Sequence, residues 1–199
     1  MNRRLYDYFI LARASARLPN HLIVYSIFYD QMEIAMTLIL GIDPGSIKTG
    51  YGIIKTEKNN LTHIAHGTIT AKGNSMAERL HQIYCELSQI IALHKPNEAA
   101  IEEVFMQINI QSALKLGQAR GAALIAAARY AVPVHEYSAR SVKKTTTGYG
   151  AADKKQIQFM IRAQLGLTQS PQADAADALA IAICHAQHRA FLAKIQVVS

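Results

Sequence analysis

The chain has 199 residues, half of them hydrophobic, a net charge of +7 and an isoelectric point near 9.5. That is one domain, or one domain with an appendage, large enough to bury a core without disulfide or metal staples. No apolar run reaches the ~18 residues of a membrane span, and two cysteines, Cys85 and Cys184, are too few for a disulfide framework or a zinc site.

Residues 1–35 differ in character from the rest of the chain. They hold Arg3, Arg4, Arg13 and Arg17 and a short apolar patch over 22–28 broken by Tyr25 and Ser26, with no clean small-residue cleavage site behind it. This segment carries only +1, so the remaining +6 lies in the body of the chain, where it favours a polyanionic partner such as nucleic acid. Met36 stands directly before the first strand-like run. The expected organisation is an N-terminal extension, 1–35, and a domain over 36–195.

Leu38-Ile39-Leu40-Gly41-Ile42 is too short for a helix and suits a buried strand. It ends on Asp43, and Pro44-Gly45 then signals a turn. Residues 50–56 and 61–69 read as two further strands, separated by the polar turn at 57–60, which makes a three-stranded meander. Apolar positions at three- and four-residue spacing predict a helix over 75–93, opened by the capping-box pair Ser75 and Glu78. A fourth strand is expected over 99–105, a long Ala- and Gly-rich helix over 109–130 and a fifth strand over 133–137. A short helix over 139–144, a flexible polar loop over 145–150, a helix from Asp153 to about residue 165 and a last helix over 173–192 complete the chain. Strands first in succession and then alternating with helices imply an α/β domain with a mixed sheet. Both cysteines fall in apolar helical surroundings, as core thiols of a reducing compartment do.

Acidic residues fall where such a fold has no structural use for them. Asp43 ends the first strand, Glu102 and Glu103 lie in the fourth, and Asp174 and Asp177 share one helix face at a spacing of three amid Ala, Leu and Ile. Two like charges about 5 Å apart cost roughly 3 kcal/mol at an effective dielectric near 20. An acid in a first helical turn complements the helix dipole, which accounts for one of them but not for two on an apolar face plus those in strands. A hard divalent cation would account for the set, and two such ions would clamp a phosphodiester and activate water. Adjacent strand residues point to opposite faces, so only one of Glu102 and Glu103 can join the group. Alternation alone does not say which.

The segments ILGIDPGSIKTGYGII, AIEEVFM, SALKLGQARG and PQADAADALAIAI closely resemble those of RuvC-type Holliday-junction resolvases, in order and over residues 36 to about 185. The resemblance implies a ribonuclease H-like α/β fold, a five-stranded mixed sheet of order 3-2-1-4-5 flanked by helices. It implies Asp43, Glu102, Asp174 and Asp177 as catalytic acids and metal ligands, selecting Glu102 over Glu103. The implied activity is that of a structure-selective endonuclease acting in recombination and DNA repair. It would place paired symmetric nicks in a four-way junction by in-line attack of water, with Mg²⁺, two ions per site, and with Mn²⁺ able to substitute. The implied partners are junction DNA, a second copy of the chain and a branch-migration motor of RuvA and RuvB type, in the cytoplasm and away from membranes. Phe105 would meet a base near the junction centre, where an apolar wedge can stack on or unstack bases. Residues 1–35 lie outside the family pattern.

Lys115, Arg120, Arg140, Lys143, Lys144, Lys154 and Lys155 are the candidates for DNA phosphates, two lysine pairs bracketing the loop at 145–150. Ala113, Gly117 and Gly121 recur at four along the long helix and suit close approach of a second copy or of the helix's own sheet. The eight His show no metal-binding spacing, and His185 and His188 are read as surface or internally satisfied residues. Two rival readings are weaker. An actin-like phosphotransferase needs two such domains, and a junction-binding protein without catalysis gains nothing from clustered acids.

Overall fold

The computed structural model describes residues 36–57, 60–103 and 109–196. In chain order these form β1 (Met36–Asp43), β2 (Lys48–Glu57), β3 (Asn60–Thr70), α1 (Met76–His94), β4 (Glu98–Glu102) and α2 (Ile110–Arg129). They continue through β5 (Val134–Tyr137), α3 (Ala139–Thr147), α4 (Lys154–Gln164) and α5 (Ala173–Gln196). One sheet runs β3-β2-β1-β4-β5, with β2 and β3 antiparallel and β1, β4 and β5 parallel, which is the expected mixed order.

Side chains of successive strand residues divide the core in two. Leu40, Ile42, Ile53, Ala99 and Ile101 join the cluster shared with α1 and α2, while Ile39, Ile54 and Ala100 join the one shared with α3, α4 and α5. The helices begin where the sequence signals them. Ser75 caps α1 through a capping box with Glu78, Asn109 caps α2, and Asp153 caps α4.

α5 lies on the sheet at backbone distance because glycine leaves room for it. A Cβ on Gly41 would stand 2.0 Å from the carbonyl oxygen of Ala178, and one on Gly50 1.9 Å from that of Asp174. The Ala residues of α5 answer those glycines: Ala175, Ala178 and Ala182 are all buried. This approach lays the start of α5 against β1 and β2.

Three expectations need correction. Residues 145–147 are helical, not loop: α3 runs on to Thr147, and Thr146 is fully buried. The threonine hydroxyls sustain the helix by bonding back one turn, Thr146 Oγ1 to the Val142 carbonyl at 2.9 Å and Thr147 Oγ1 to that of Lys143 at 2.8 Å. The Gln164 amide also holds the Thr146 carbonyl at 2.8 Å, and Gly148 in the left-handed region, φ 78°, ends the helix. Cys184 is buried, but Cys85 is only partly so, its Sγ 3.5 Å from His81 Nε2 on the outward side of α1. Finally, β4 closes at Glu102 and Glu103 lies outside it, while the remainder of the expected strand, 104–105, lies outside the described residues.

Candidate active site

The strand tips deliver the first two carboxylates side by side. β1 and β4 pair in parallel with Ile42 opposite Ile101, so Asp43 and Glu102 come next in register. Both point toward α5: Asp43 follows Ile39 and Gly41 on that face, and Glu102 follows Ala100. Alternation anchored on the core therefore selects Glu102, which the sequence alone left open. Glu103 instead borders a cavity of about 660 Å³ with His135, Tyr137 and Lys144, and its N–H bonds the Tyr137 carbonyl at 2.9 Å.

α5 brings the other two. Asp174 stands in its first turn and Asp177 one turn on, both half-buried like Asp43 and Glu102. Their proximity shows in their electrostatics. Burial, reinforced by the charges of Asp177, Glu102 and Asp174, pushes the Asp43 carboxyl up to about 7. Burial and then Asp177 push Glu102 up, and burial is also the main cause that raises Asp177, to which Asp174 adds. Nearby cations work against this. Lys154 Nζ lies 3.8 Å from Asp177 Oδ2, and Lys154 and Lys143 both draw Asp177 and Glu102 downward.

Buried acids that raise one another need positive charge. Four oxygen-donor side chains of a single sign suit a hard divalent cation, so the residues present fit one. A close trio of potential ligands lies elsewhere: donor atoms of Glu98, His135 and His185 all fall within 4.8 Å of one another. No three of the four acids bring their donor atoms within that distance of one another.

The basic candidates divide. Lys115, Arg140, Lys144, Lys154 and Lys155 are exposed, and Lys143 is half-buried beside the carboxylates. Arg120 is engaged otherwise, its guanidinium 2.5 Å from Glu136 and largely covered. Phe105 lies outside the described residues. Sequence reasoning missed the part played by Gly41, Gly50 and Gly52, where a Cβ would run into α5; glycines inside a strand pattern were the available signal. It also missed the Lys154–Asp177 contact, which no spacing announces.

The chain is similar to known proteins over most of its length. Residues 39–185 match the family described as crossover junction endodeoxyribonuclease RuvC. The protein of that name from Marinobacter nauticus is 56% identical over 151 residues, covering 76% of this chain and 86% of the relative. Its Coxiella burnetii counterpart is 56% identical over 155 residues, covering 78% and 90%. Among solved structures, Thermus thermophilus RuvC in complex with Holliday junction substrate is 32% identical with a TM-score of 0.73, covering 78% of this chain and 96% of that one.

Proposed function

Because the chain belongs to the RuvC family of crossover junction endodeoxyribonucleases, we propose that it resolves four-way DNA junctions by paired, symmetric, metal-dependent nicks in recombination and repair. The observation that carries the reading is the convergence of Asp43, Glu102, Asp174 and Asp177 from β1, β4 and α5, each of three raised by burial and by its neighbours.

In this reading Asp43, Glu102, Asp174 and Asp177 hold the divalent cation, Mg²⁺ with Mn²⁺ as substitute and two ions per site. A cation held there supplies Lewis acidity for water activation and charge for the phosphate. The chain's own groups do the rest. The half-buried setting leaves the carboxylates poorly solvated, so their attraction for a cation is strong, and the cation offsets their repulsion of a phosphate. Lys154, 73% exposed at its side chain yet within 3.8 Å of Asp177, offers its ammonium to an incoming DNA phosphate and gives up a weak pair to do so. Lys143 lies on the same side. Lys144, Lys155, Arg140 and Lys115 extend this positive surface along the DNA, and Phe105 is assigned the base contact. Arg120, held by Glu136, is the weakest of the set.

The homodimer proposal has support from α2. A Cβ on Gly117 or Gly121 would meet nothing within 4 Å, so these glycines do not serve packing on the chain's own sheet, and Leu114 beside them is exposed. Two such sites on a two-fold axis would match the symmetry of a four-way junction. A branch-migration motor of RuvA and RuvB type, a cytoplasmic setting, and a nuclease domain over 36–195 with 1–35 as an extension complete the proposal. No helix among the described residues is long and apolar enough to cross a membrane.

The test is cleavage of a labelled synthetic four-way junction by wild type and Asp174→Asn, with Mg²⁺ and with chelator. Paired nicks near the crossover that need both Mg²⁺ and Asp174, with junction binding retained in the variant, are expected. Binding without nicks in any divalent metal would refute the nuclease; equal cutting of plain duplex would refute the junction selectivity.

A further inference from the structure

β4 and α5, which carry Glu102 and the Asp174/Asp177 pair, are joined a second time at their far ends. His185 on α5 is fully buried, its Nε2 lying 2.5 Å from Glu98 Oε2 and its Nδ1 2.7 Å from the Tyr137 hydroxyl. Arg189 Nε also reaches Glu98 Oε2, at 3.1 Å, and its terminal nitrogen donates to Thr37 Oγ1 on β1 at 2.9 Å. His135 stacks on His185, ring centroids 4.3 Å apart. Burial would push the Glu98 carboxyl up, but the His185 hydrogen bond and Arg189 hold it below the usual range. Glu98 is therefore an acceptor, so His185 Nε2 carries a proton toward it.

We propose that the relay Tyr137–His185–Glu98, clamped by Arg189, is a positioning device that sets where α5 stops along β4, and so the spacing of Asp174 and Asp177 from Glu102 and Asp43. The proposal rests on the reading that those four acids hold the divalent cation.

The geometry explains why such a device is needed. Glu98 and Glu102 are four strand residues apart, about 13 Å. Asp177 and His185 are eight helical residues apart, about 12 Å. The two elements run side by side in opposite directions, with the relay at one end and the carboxylates at the other. On the neighbouring strands, Gly41 of β1 and Gly50 of β2 take α5 at backbone distance. These glycines permit close approach, and Leu179 of α5 adds apolar packing with Ile39 and Ile54, but such contacts are not directional. The relay, with directional bonds to β4, β5 and β1, supplies the missing axial stop. A buried polar group holds a geometry by the cost of leaving it unpaired, whereas apolar residues in its place could be equally stable and less specific.

A cation at Glu98, His135 and His185 is the competing occupant. Arg189 already supplies positive charge to the same carboxylate oxygen. The two imidazole planes lie within 25° of parallel, so their in-plane lone pairs run alongside each other rather than converge.

The test uses the full chain with Tyr137→Phe, which removes one hydroxyl and keeps the ring, and Glu98→Gln. Mn²⁺ binding is titrated without DNA, junction affinity is measured in chelator, and single-turnover cleavage is measured at saturating junction. Both variants are expected to bind Mn²⁺ about fivefold more weakly and to cut more slowly by a similar or larger factor, with junction affinity unchanged; the effect is smaller than that of groups bonded directly to metal ligands because the relay acts through α5. A lower melting temperature with unchanged Mn²⁺ affinity would make the relay merely structural and overturn the proposal. If Glu98→Gln fails to fold, Tyr137→Phe decides alone. A wild type that binds Mn²⁺ but cuts no junction would refute the nuclease reading, and the Mn²⁺ comparison would still decide the relay. Tight Zn²⁺ binding lost in His135→Ala would overturn it in favour of a second metal site.

Discussion

Asp43→Asn should make the metal-free protein more stable above pH 7 while abolishing cleavage. Asp43 is half-buried at the tip of β1, and burial together with Asp177, Glu102 and Asp174 moves its carboxyl from 3.8 to about 7. At 1.36 kcal/mol per pH unit that displacement corresponds to about 4 kcal/mol. The asparagine amide is also desolvated, so we expect about half of this to be recovered, some 2 kcal/mol. The direction with pH is determined. The folded state holds the proton more tightly than the unfolded chain, so wild-type stability from this group is complete below 3.8 and is lost as pH rises to about 7. The variant should therefore be about 2 kcal/mol less stable than wild type near pH 4, overtake it as pH rises, and stay about 2 kcal/mol more stable above pH 7. Urea unfolding in chelator across pH 4–8 measures it, and at about 3 °C per kcal/mol a melting shift near 6 °C should accompany it at pH 8. Adding Mg²⁺ should close the gap from the wild-type side, because a ligand bound only by the folded state stabilises it. A variant no more stable than wild type at pH 8 in chelator, or a gap independent of pH, would refute the reasoning.

Asp177→Asn should lower single-turnover junction cleavage by about a thousandfold or more while leaving junction binding intact, as loss of a metal-holding group does; gel-based cleavage and binding assays separate the two. Lys154→Ala should weaken junction binding and lower the slope of log K against log salt by about one, and equal slopes would remove Lys154 from the DNA surface. Gly50→Ala places a Cβ 1.9 Å from the Asp174 carbonyl oxygen, so it should cost about 3 kcal/mol or more and reduce cleavage in whatever fraction stays folded, read by urea unfolding and by rate per folded molecule. Gly117→Glu meets no neighbour within 4 Å and should leave folding intact while shifting sedimentation toward a smaller species; an unchanged sedimentation profile would move the dimer contact off this part of α2.

Local patterns were enough for most of the fold. The apolar run ending on Asp43, the capping box at Ser75 and Glu78, and the three-residue spacing of Asp174 and Asp177 are all short-range features, and short-range features are what periodicity and capping report. They failed at α3, where a Thr-Thr-Thr run reads as loop by composition but is held helical by i−4 hydroxyl bonds and by Gln164 from another helix. The site was half legible. Its acids could be picked out because clustered carboxylates in apolar segments have no cheap structural use, yet the choice between Glu102 and Glu103 needed the register of β4 against β1.

By itself, then, the sequence determined which chemistry the chain can hold: four acids, a basic surface, and the strands and helices that carry them. Only the tertiary structure decided how those acids are set against one another. That depends on contacts between residues more than a hundred positions apart, such as Gly41 with Ala178 and Arg189 with Thr37. Burial and mutual charge, which give Asp43 its displaced ionisation, exist only once β1, β4 and α5 have been brought together.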